Sequence, residues 1–268
     1  MKKFFLLLVL FTLIIGKGVS EEVNTEKEVE DRLYKSYLEE TIPEKFVEPF
    51  FDMTKDLKSI GIEILGLGFH ESHWKDFIGK VNKNGSIDIG PLMLNSYNIA
   101  NSDFMRRYGK NSDDYKYDTD VYYMTICITF FKALRVEYGT FNALKVYNGG
   151  PKVMRDNCSK ELKKTVTTYA NVVYKEINKC ASEWKAYKEE KREVIIAEME
   201  REKEEQIAKE KFIQEYKERM AQYTKEAIPL STSNSHLYEI KKNLVYISRK
   251  EEYYFRHSVY FLRRRFVV

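Results

Sequence analysis

The chain has 268 residues and a mass of 31.9 kDa, with 43% hydrophobic and 14% aromatic residues. This content can bury the core of one sizeable domain or two small ones, so a wholly disordered chain is excluded. Three cysteines are too few for a disulfide-built scaffold. The formal net charge is only +4, so the composition does not indicate a polyanionic partner, and no nucleic acid is expected.

Residues 1–20 have the pattern of a secretory signal peptide. Lys2 and Lys3 precede an apolar run from Phe4 to Ile15, and the small residues of Gly18-Val19-Ser20 follow it. Twelve residues rise only about 18 Å as a helix, which is short of the roughly 30 Å hydrocarbon core of a bilayer. An uncleaved membrane span is therefore the weaker interpretation, and we predict an exported protein.

The middle of the chain predicts a mainly α-helical domain over residues 46–180. Residues 21–45 are acidic and helix-prone, and they predict a helical lead-in that docks on this domain through Tyr37 and Leu38. The polar stretch Lys80 to Gly90 is rich in turn residues and predicts a small turn-rich or β-hairpin insertion. Apolar residues at helical spacing flank it on both sides: Ile62, Leu65 and Phe69, then Val121, Met124, Ile128, Phe131, Leu134 and Tyr138.

The rest of the chain changes character. No Gly or Pro occurs from Lys152 to Ile228, and residues 181–228 predict a long charged helix. A solvated single helix that acts as a spacer is the favoured interpretation, with coiled-coil dimerisation as the alternative. Residues 229–268 form a basic tail that ends in Arg263, Arg264 and Arg265. This tail is interpreted as a poorly ordered terminus, as a contact with a membrane surface or wall polymer, or as a remnant of a binding module.

The three cysteines are interpreted separately. Cys127 lies in an apolar helical run and is predicted to be a small buried hydrophobe. Cys158 and Cys180 flank a helical stretch, and the sequence leaves open whether they pair.

Four segments carry the candidate chemistry. Residues 68–74 read Gly-Phe-His-Glu-Ser-His-Trp at the end of an apolar helix, and residues 84–96 read Asn-Gly-Ser-Ile-Asp-Ile-Gly-Pro-Leu-Met-Leu-Asn-Ser. Residues 143–151 read Ala-Leu-Lys-Val-Tyr-Asn-Gly-Gly-Pro, and Tyr169 lies on a following helix. Glu71 is flanked by Phe69 and Trp74, so desolvation is expected to raise its pKa towards that of a general acid.

These segments, in this order and at this spacing, resemble the SLT-type lytic transglycosylases, which are lysozyme-like enzymes of bacterial cell walls. The Asn-Gly-Ser-x-Asp-x-Gly stretch is most similar to the specialised members that serve secretion systems and flagella. The resemblance covers roughly residues 50–178 and implies a lysozyme-like helical domain. Separately, residues 236–243 faintly resemble the opening strand of a LysM peptidoglycan-binding module. The Gly-Asp-Thr turn expected next is absent, so an intact module is not expected, and a truncated remnant is one interpretation of the tail.

The resemblance implies roles for individual residues. Glu71 is expected to act first as acid and then as base on the glycosidic bond. Asp88 is expected either to stabilise an oxocarbenium-like transition state or to act only as an Asx-turn residue within its loop. Tyr147 is expected to turn its hydroxyl towards Glu71 or the substrate. The residues expected to bind substrate are Ser72, Gly90, Met93, Asn95, Asn148 and Tyr169.

The chain departs from the family pattern at one position. The family usually carries Gln where this chain has Met93, or Leu94 if the motif is shifted by one residue. Either way a polar contact to sugar or acid is missing. A zinc site at His70-Glu71-Ser72-His73 is not expected, because the metalloprotease helix places its two His four residues apart. No cofactor is expected.

The expected function is cleavage of the β-1,4 bond between N-acetylmuramic acid and N-acetylglucosamine, with formation of 1,6-anhydro ends. The expected location is the periplasm or the cell wall. The expected partners are peptidoglycan glycan strands, with a secretion or flagellar assembly as a further candidate. The alternatives are a hydrolytic muramidase of the same fold and a non-catalytic protein that binds peptidoglycan or assists assembly.

Overall fold

A computed structural model describes residues 25–75, 79, 81–109 and 118–227. The described residues are mainly helical, with 83% helix and 2% strand, and they include a small two-stranded hairpin and a long helix, α7, at their carboxyl end. The predicted fold class is confirmed at this level. The predicted signal peptide and basic tail lie outside the described residues. The chain divides into two compact units, Met1–Glu198 and Met199–Val268.

The first unit begins with helix α1, residues 25–41. The next elements are α2 (Glu44–Thr54), a 3₁₀ turn (Lys55–Leu57), α3 (Lys58–Glu71), and a hairpin of β1 (Asp88–Ile89) and β2 (Leu94–Asn95). They are followed by α4 (Ser96–Ala100), α5 (Ser102–Tyr108), α6 (Thr119–Gly149), a 3₁₀ turn (Pro151–Met154) and α7 (Lys160–Ala227).

Helix α1 belongs to the hydrophobic core. Leu33, Tyr34 and Leu38 are fully buried, and the Tyr34 hydroxyl lies 2.9 Å from Thr54 Oγ1 of α2. A buried phenol needs such a partner, because its desolvated hydroxyl would otherwise lose its hydrogen bond to water. Helix α1 therefore packs on α2, and its buried residues include Leu33 and Tyr34 as well as Leu38.

Helix α7 runs through the predicted domain border at residues 180 and 181 without a break. The ring of Trp184 lies 5.7 Å from that of Tyr34, and the Tyr187 hydroxyl bonds Ser36 Oγ at 2.8 Å. Arg192 Nη2 lies 2.5 Å from Glu26 Oε2 on α1. Residues of α7 beyond position 180 therefore still contact α1, through both apolar and charged side chains. In agreement with this, the first unit ends at Glu198.

Helices α3, α6 and α7 form the centre of this unit. The residues predicted to line the core at helical spacing are buried at Ile62, Leu65, Val121, Met124, Ile128, Phe131 and Leu134. Gly66 permits the close approach of α3 and α7, since a Cβ there would lie 2.7 Å from the Cα of Ile177. Gly139 has φ 70° and ψ 163° and kinks α6, so that the last turns of this helix take a new direction.

The predicted insertion is an antiparallel hairpin with Asp88 opposite Asn95 and Ile89 opposite Leu94. Its turn needs left-handed backbone at both ends, with φ 78° at Gly90 and φ 54° at Met93. Glycine adopts such angles without steric cost, whereas methionine rarely does. The Met93 N–H donates to the Gly90 carbonyl at 3.1 Å, which closes the turn.

In the second unit, the described residues 199–227 are all helical. Amide-to-carboxylate bonds four residues apart support this segment, from Gln206 to Glu210 and from Gln214 to Glu218. The spacer and coiled-coil interpretations remain predictions. Within the described part of the chain, no helix has both the length and the apolar character of a bilayer-spanning segment.

All three cysteines are free thiols. Cys127 is buried in the core, as predicted. Cys158 precedes α7, and Cys180 lies 20 residues after the start of that helix at Lys160. A helix rises 1.5 Å per residue, so about 30 Å of helix separates them and a disulfide is excluded.

We predict that Gly66→Ala lowers stability, because the new methyl group would meet the backbone of Ile177 on α7. Overpacking of this kind costs about 1–3 kcal/mol. Helix propensity alone would act in the opposite direction and favour alanine by about 1 kcal/mol. The free energy of unfolding in urea distinguishes the two, and an increase in this variant would contradict the close crossing.

Candidate active site

A cleft of about 820 Å³ lies in the first unit, and Glu71 lines it. Its walls come from the hairpin and α4, from α5, and from the end of α6 with the turn after it. The hairpin and α4 contribute Asp88, Met93, Leu94, Asn95, Tyr97 and Asn98, while α5 and the residue before it contribute Asn101, Asp103, Phe104, Arg107 and Tyr108. The α6 wall contains Phe130, Val146, Tyr147, Asn148, Gly149 and Gly150, followed by Pro151 and Lys152.

Glu71 is the last residue of α3 and is partly buried. Burial is the main cause that raises the pKa of this carboxyl, from the ordinary 4.5 to about 7, and the nearby Asp88 carboxylate raises it further. The hydrogen bond from Tyr169 acts in the opposite direction and lowers the pKa. The carboxyl end of a helix also disfavours negative charge. Glu71 therefore holds a proton close to neutral pH.

The hydroxyl of Tyr169 donates a hydrogen bond to Glu71 Oε1. Tyr169 lies on α7 and is partly buried, and it is not among the residues that line the cleft. Burial raises its pKa well above the ordinary 10, so this phenol stays protonated and remains a donor. Sequence reasoning assigned Tyr169 to substrate binding, whereas the structure makes it the partner of the acid.

Tyr147 differs from its predicted orientation. Its hydroxyl donates to the Leu92 carbonyl at 2.5 Å, so it holds the hairpin turn and does not bond Glu71. It also contacts the thiol of the buried Cys127. Burial is the main cause that raises the pKa values of both groups, and the charge of the nearby Glu71 raises them further. The Tyr147 hydroxyl bonds the carbonyl of the buried Leu92, and the hydroxyl that bonds Glu71 comes from Tyr169 on α7.

Asp88 belongs to a polar network within its own loop. Its carboxylate accepts from Asn95 Nδ2 at 2.7 Å and from Asn82 Nδ2 at 3.1 Å. The same two amide groups reach Ser86 Oγ, which is fully buried, at 2.9 and 3.0 Å. Asp88 therefore has a structural role in the loop. It also lines the cleft beside Glu71, so both interpretations from the sequence have support in its position.

The end of α3 is held against this loop. Ser72 is buried, and its hydroxyl donates to the Pro91 carbonyl at 2.7 Å. Trp74 Nε1 donates to the Leu65 carbonyl at 3.1 Å, which folds the indole back onto α3. His73 and Trp74 have φ 57° and 58°, a conformation that is strained for residues other than glycine. These contacts hold the carboxyl end of α3, and with it the backbone of Glu71, in one position against the loop.

The other residues predicted to bind substrate fall into two groups. Met93, Asn95 and Asn148 line the cleft. Ser72 and Gly90 are buried and lie outside its lining. A Cβ at Gly90 would lie 3.5 Å from Cβ of Tyr123, so this residue serves the turn and not the ligand surface. The thioether of Met93 offers the cleft no hydrogen-bond donor.

The wall built by α4 and α5 was missed by sequence reasoning. Its helices are short, and they begin at two asparagine caps: Asn95 Oδ1 accepts from Tyr97 N, and Asn101 Oδ1 accepts from Asp103 N and Phe104 N. Each helix begins with a serine that directly follows its asparagine cap, and this Asn-Ser pair is a recognisable signal for the start of a helix. Such a signal predicts the helices, but it does not indicate that they face Glu71.

His70 packs on Tyr169, the tyrosine that bonds Glu71, and the centres of the two rings lie 5.2 Å apart. Burial is the main cause that lowers the pKa of His70. Among the described residues, no group of three or more His, Cys, Asp or Glu side chains is placed to hold a metal ion.

Comparison with known proteins identifies no relative, since no family model, curated protein or solved structure matches the chain. The geometry of the cleft is therefore the basis for assigning a function.

We predict that Glu71→Gln stabilises the fold at alkaline pH and not under acid conditions. The raised pKa means that the folded state keeps the proton between pH 4.5 and about 7, whereas the unfolded chain releases it. Wild-type stability from this group is present below pH 4.5 and falls by up to about 3 kcal/mol as the pH rises through 7. The glutamine variant carries no such loss.

Urea unfolding of both proteins at about pH 4.5 and about pH 8 measures this difference. Glu183→Gln, on the exposed part of α7, reports the general effect of removing one negative charge. A gap between wild type and Glu71→Gln that is the same at both pH values would show that Glu71 is ionised in the folded protein at neutral pH.

Proposed function

We propose that this protein is a lytic transglycosylase of peptidoglycan with a lysozyme-like fold. The observation that carries the proposal is the partly buried carboxyl of Glu71, which lines a cleft of about 820 Å³ and whose pKa burial raises to about 7. Cleavage of a glycosidic bond needs an acid that keeps its proton near neutral pH and stands beside a groove for the sugar chain. The order and spacing of the sequence motifs around Glu71, Asp88 and Tyr147 support the same assignment.

In the proposed reaction, Glu71 donates its proton to the oxygen that links N-acetylmuramic acid to N-acetylglucosamine. The bond from C1 of the muramyl residue to that oxygen breaks, and the glucosamine leaves with a free 4-hydroxyl. The Glu71 carboxylate then removes the proton of the muramyl 6-hydroxyl, whose oxygen bonds to C1. Atoms balance without water, and the acid is restored to its protonated state.

The groups around Glu71 have distinct parts in this proposal. Tyr169 occupies Oε1, so the carboxyl is held in one orientation and Oε2 is left to transfer the proton. The Asp88 carboxylate stabilises the positive charge that develops at C1. Tyr147 positions the substrate wall indirectly, because it holds the turn that carries Met93 through the Leu92 carbonyl.

Asp88 also supports a second candidate, a hydrolytic muramidase of the same fold. A second carboxylate in the cleft can stabilise the intermediate until water attacks C1. The two enzymes leave different ends on the glycan, because hydrolysis gives reducing ends and transglycosylation gives 1,6-anhydro ends.

The proposal includes a location and a setting. Export through residues 1–20 would bring the enzyme to the periplasm or cell wall, where its substrate lies. Local remodelling of the wall there is the proposed task, in the service of a secretion or flagellar assembly.

The decisive experiment compares wild type and Glu71→Gln on purified sacculi. We expect wild type to release muropeptides with 1,6-anhydro ends, identified by mass spectrometry. General acid–base groups contribute about 10² to 10⁴ in rate, so Glu71→Gln should lose at least about 100-fold. Gln206→Ala, in the second unit, is the control for handling and folding.

Reducing ends in the wild-type digest would show that the enzyme is a hydrolytic muramidase and not a transglycosylase. If wild type and Glu71→Gln both bind sacculi and neither releases muropeptides, the protein has a binding or assembly role and no catalytic one.

The pH profile gives an independent test of Tyr169. The rate should fall as the pH rises through about 7, because Glu71 then loses the proton that it must donate. The Tyr169 hydrogen bond lowers the pKa of Glu71, so its removal in Tyr169→Phe raises that pKa and should move the alkaline limb to higher pH. Initial rates on sacculi between about pH 5 and about pH 9 measure the limb.

Tyr147→Phe serves as the matched variant, since its hydroxyl bonds Leu92 and not Glu71. We expect it to change the rate without moving the limb. An alkaline limb at the same pH in wild type and Tyr169→Phe would contradict the assigned contact.

A further inference from the structure

Tyr97 is an exposed aromatic side chain within the cleft. It lies on α4, lines the same cavity as Glu71, and has a relative exposure of 56%. Tyrosine rings carry a large apolar surface that is usually covered in the folded state. An aromatic face left open to a groove is therefore a candidate contact for a ligand.

The other aromatic residues of the cleft are already engaged with each other. The ring of Phe104 lies 4.9 Å from Tyr108 and 5.0 Å from Phe130, and Phe130 lies 5.8 Å from Tyr147. No ring contact to Tyr97 occurs in the part of the chain that the structure describes. Its face is thus available, whereas the others form the packed back of the wall.

The ring of Tyr97 is also held in place. Its hydroxyl donates to the Asn84 carbonyl across the loop, and its backbone N–H donates to Asn95 Oδ1 at 3.0 Å. A side chain that is anchored before binding loses little rotamer freedom when a ligand arrives. The hydrogen bond therefore orders the ring without covering it.

Amide groups line the same cleft as the open ring, from Asn98, Asn101 and Asn82. A side-chain amide has one oxygen acceptor and two N–H donors. Asn101 uses its oxygen for the α5 cap, which leaves its NH₂ group, while Asn82 uses its NH₂ group on Asp88 and Ser86, which leaves its oxygen. A flat apolar face in a cleft that also offers amides matches a pyranose ring, whose C–H groups face one way while its hydroxyls point outward at the edge.

We propose that Tyr97 is the stacking platform for one pyranose ring of the glycan. The electron-rich face of the phenol contacts the C–H face of the sugar, and the neighbouring amides bond its hydroxyls. Tyr97 is a substrate-binding residue in this inference and takes no part in proton transfer. The inference rests on the proposed function, because it assigns a subsite to the same cleft.

Binding measured in the Glu71→Gln background tests the platform without cleavage. The ligand is a preparation of glycan strands freed from their stem peptides, and the dissociation constant is measured by calorimetry with the full chain. We expect Tyr97→Phe to bind within about twofold of the parent. Tyr97→Ala and Tyr97→Leu should each lose about tenfold, because each removes the aromatic contact with the sugar.

Two comparisons keep the result specific. Tyr174→Ala removes an exposed tyrosine of α7 that lies outside the cleft, so it should bind like the parent. Tyr97→Leu keeps much of the apolar volume, so equal binding by the leucine and phenylalanine variants would overturn the aromatic platform. Melting temperatures show which variants are folded, and the leucine variant decides the question if the alanine variant is not.

The outcomes also separate this inference from the function on which it rests. Equal glycan binding by the parent, Tyr97→Ala and Tyr97→Leu would overturn the platform and leave the enzyme assignment intact. A parent that binds no glycan strands would overturn both. Glycan binding that depends on Tyr97 in a protein with no cleavage activity would retain the platform and overturn the proposed reaction.

Discussion

The environment of Glu71 depends on the close crossing of α3 and α7. Gly66 allows the backbones to meet at Ile177, and this contact brings Tyr169 on α7 to Glu71 at the end of α3. A Cβ at Gly66 would lie 2.7 Å from the Cα of Ile177, so the two helices could not keep this crossing with a larger residue. The raised pKa of Glu71 is thus a consequence of helix packing, because burial is its main cause.

The hairpin wall of the cleft is stabilised by polar side chains and not by helix packing. Its two-residue strands are too short to be stable alone, and side-chain hydrogen bonds around Ser86, Asp88 and Asn95 supply the order. Ser72 and Tyr147 then attach this loop to the helices through the Pro91 and Leu92 carbonyls. The wall facing Glu71 is therefore a polar network that two hydrogen bonds, from Ser72 and Tyr147, join to the apolar core.

The two tyrosines beside Glu71 show how the site divides its tasks. Tyr169 bonds the Glu71 carboxyl and lowers its pKa against the larger effect of burial, while Tyr147 bonds the Leu92 carbonyl and holds the loop. Both phenols stay protonated because burial raises their pKa values well above the ordinary 10. In the proposed reaction only Glu71 changes its protonation state, and its neighbours remain fixed donors.

The sequence by itself determined the long helical segments, the hairpin position and a carboxyl group at the end of α3, since helical periodicity and turn chemistry are local properties. The tertiary structure decided which hydroxyl reaches Glu71, that α4 and α5 form a cleft wall, and that the first unit extends to Glu198. Periodicity shows which face of a helix is buried, but not what covers it. Tyr169 and Glu71 are 98 residues apart, and only the packing of their helices brings them together.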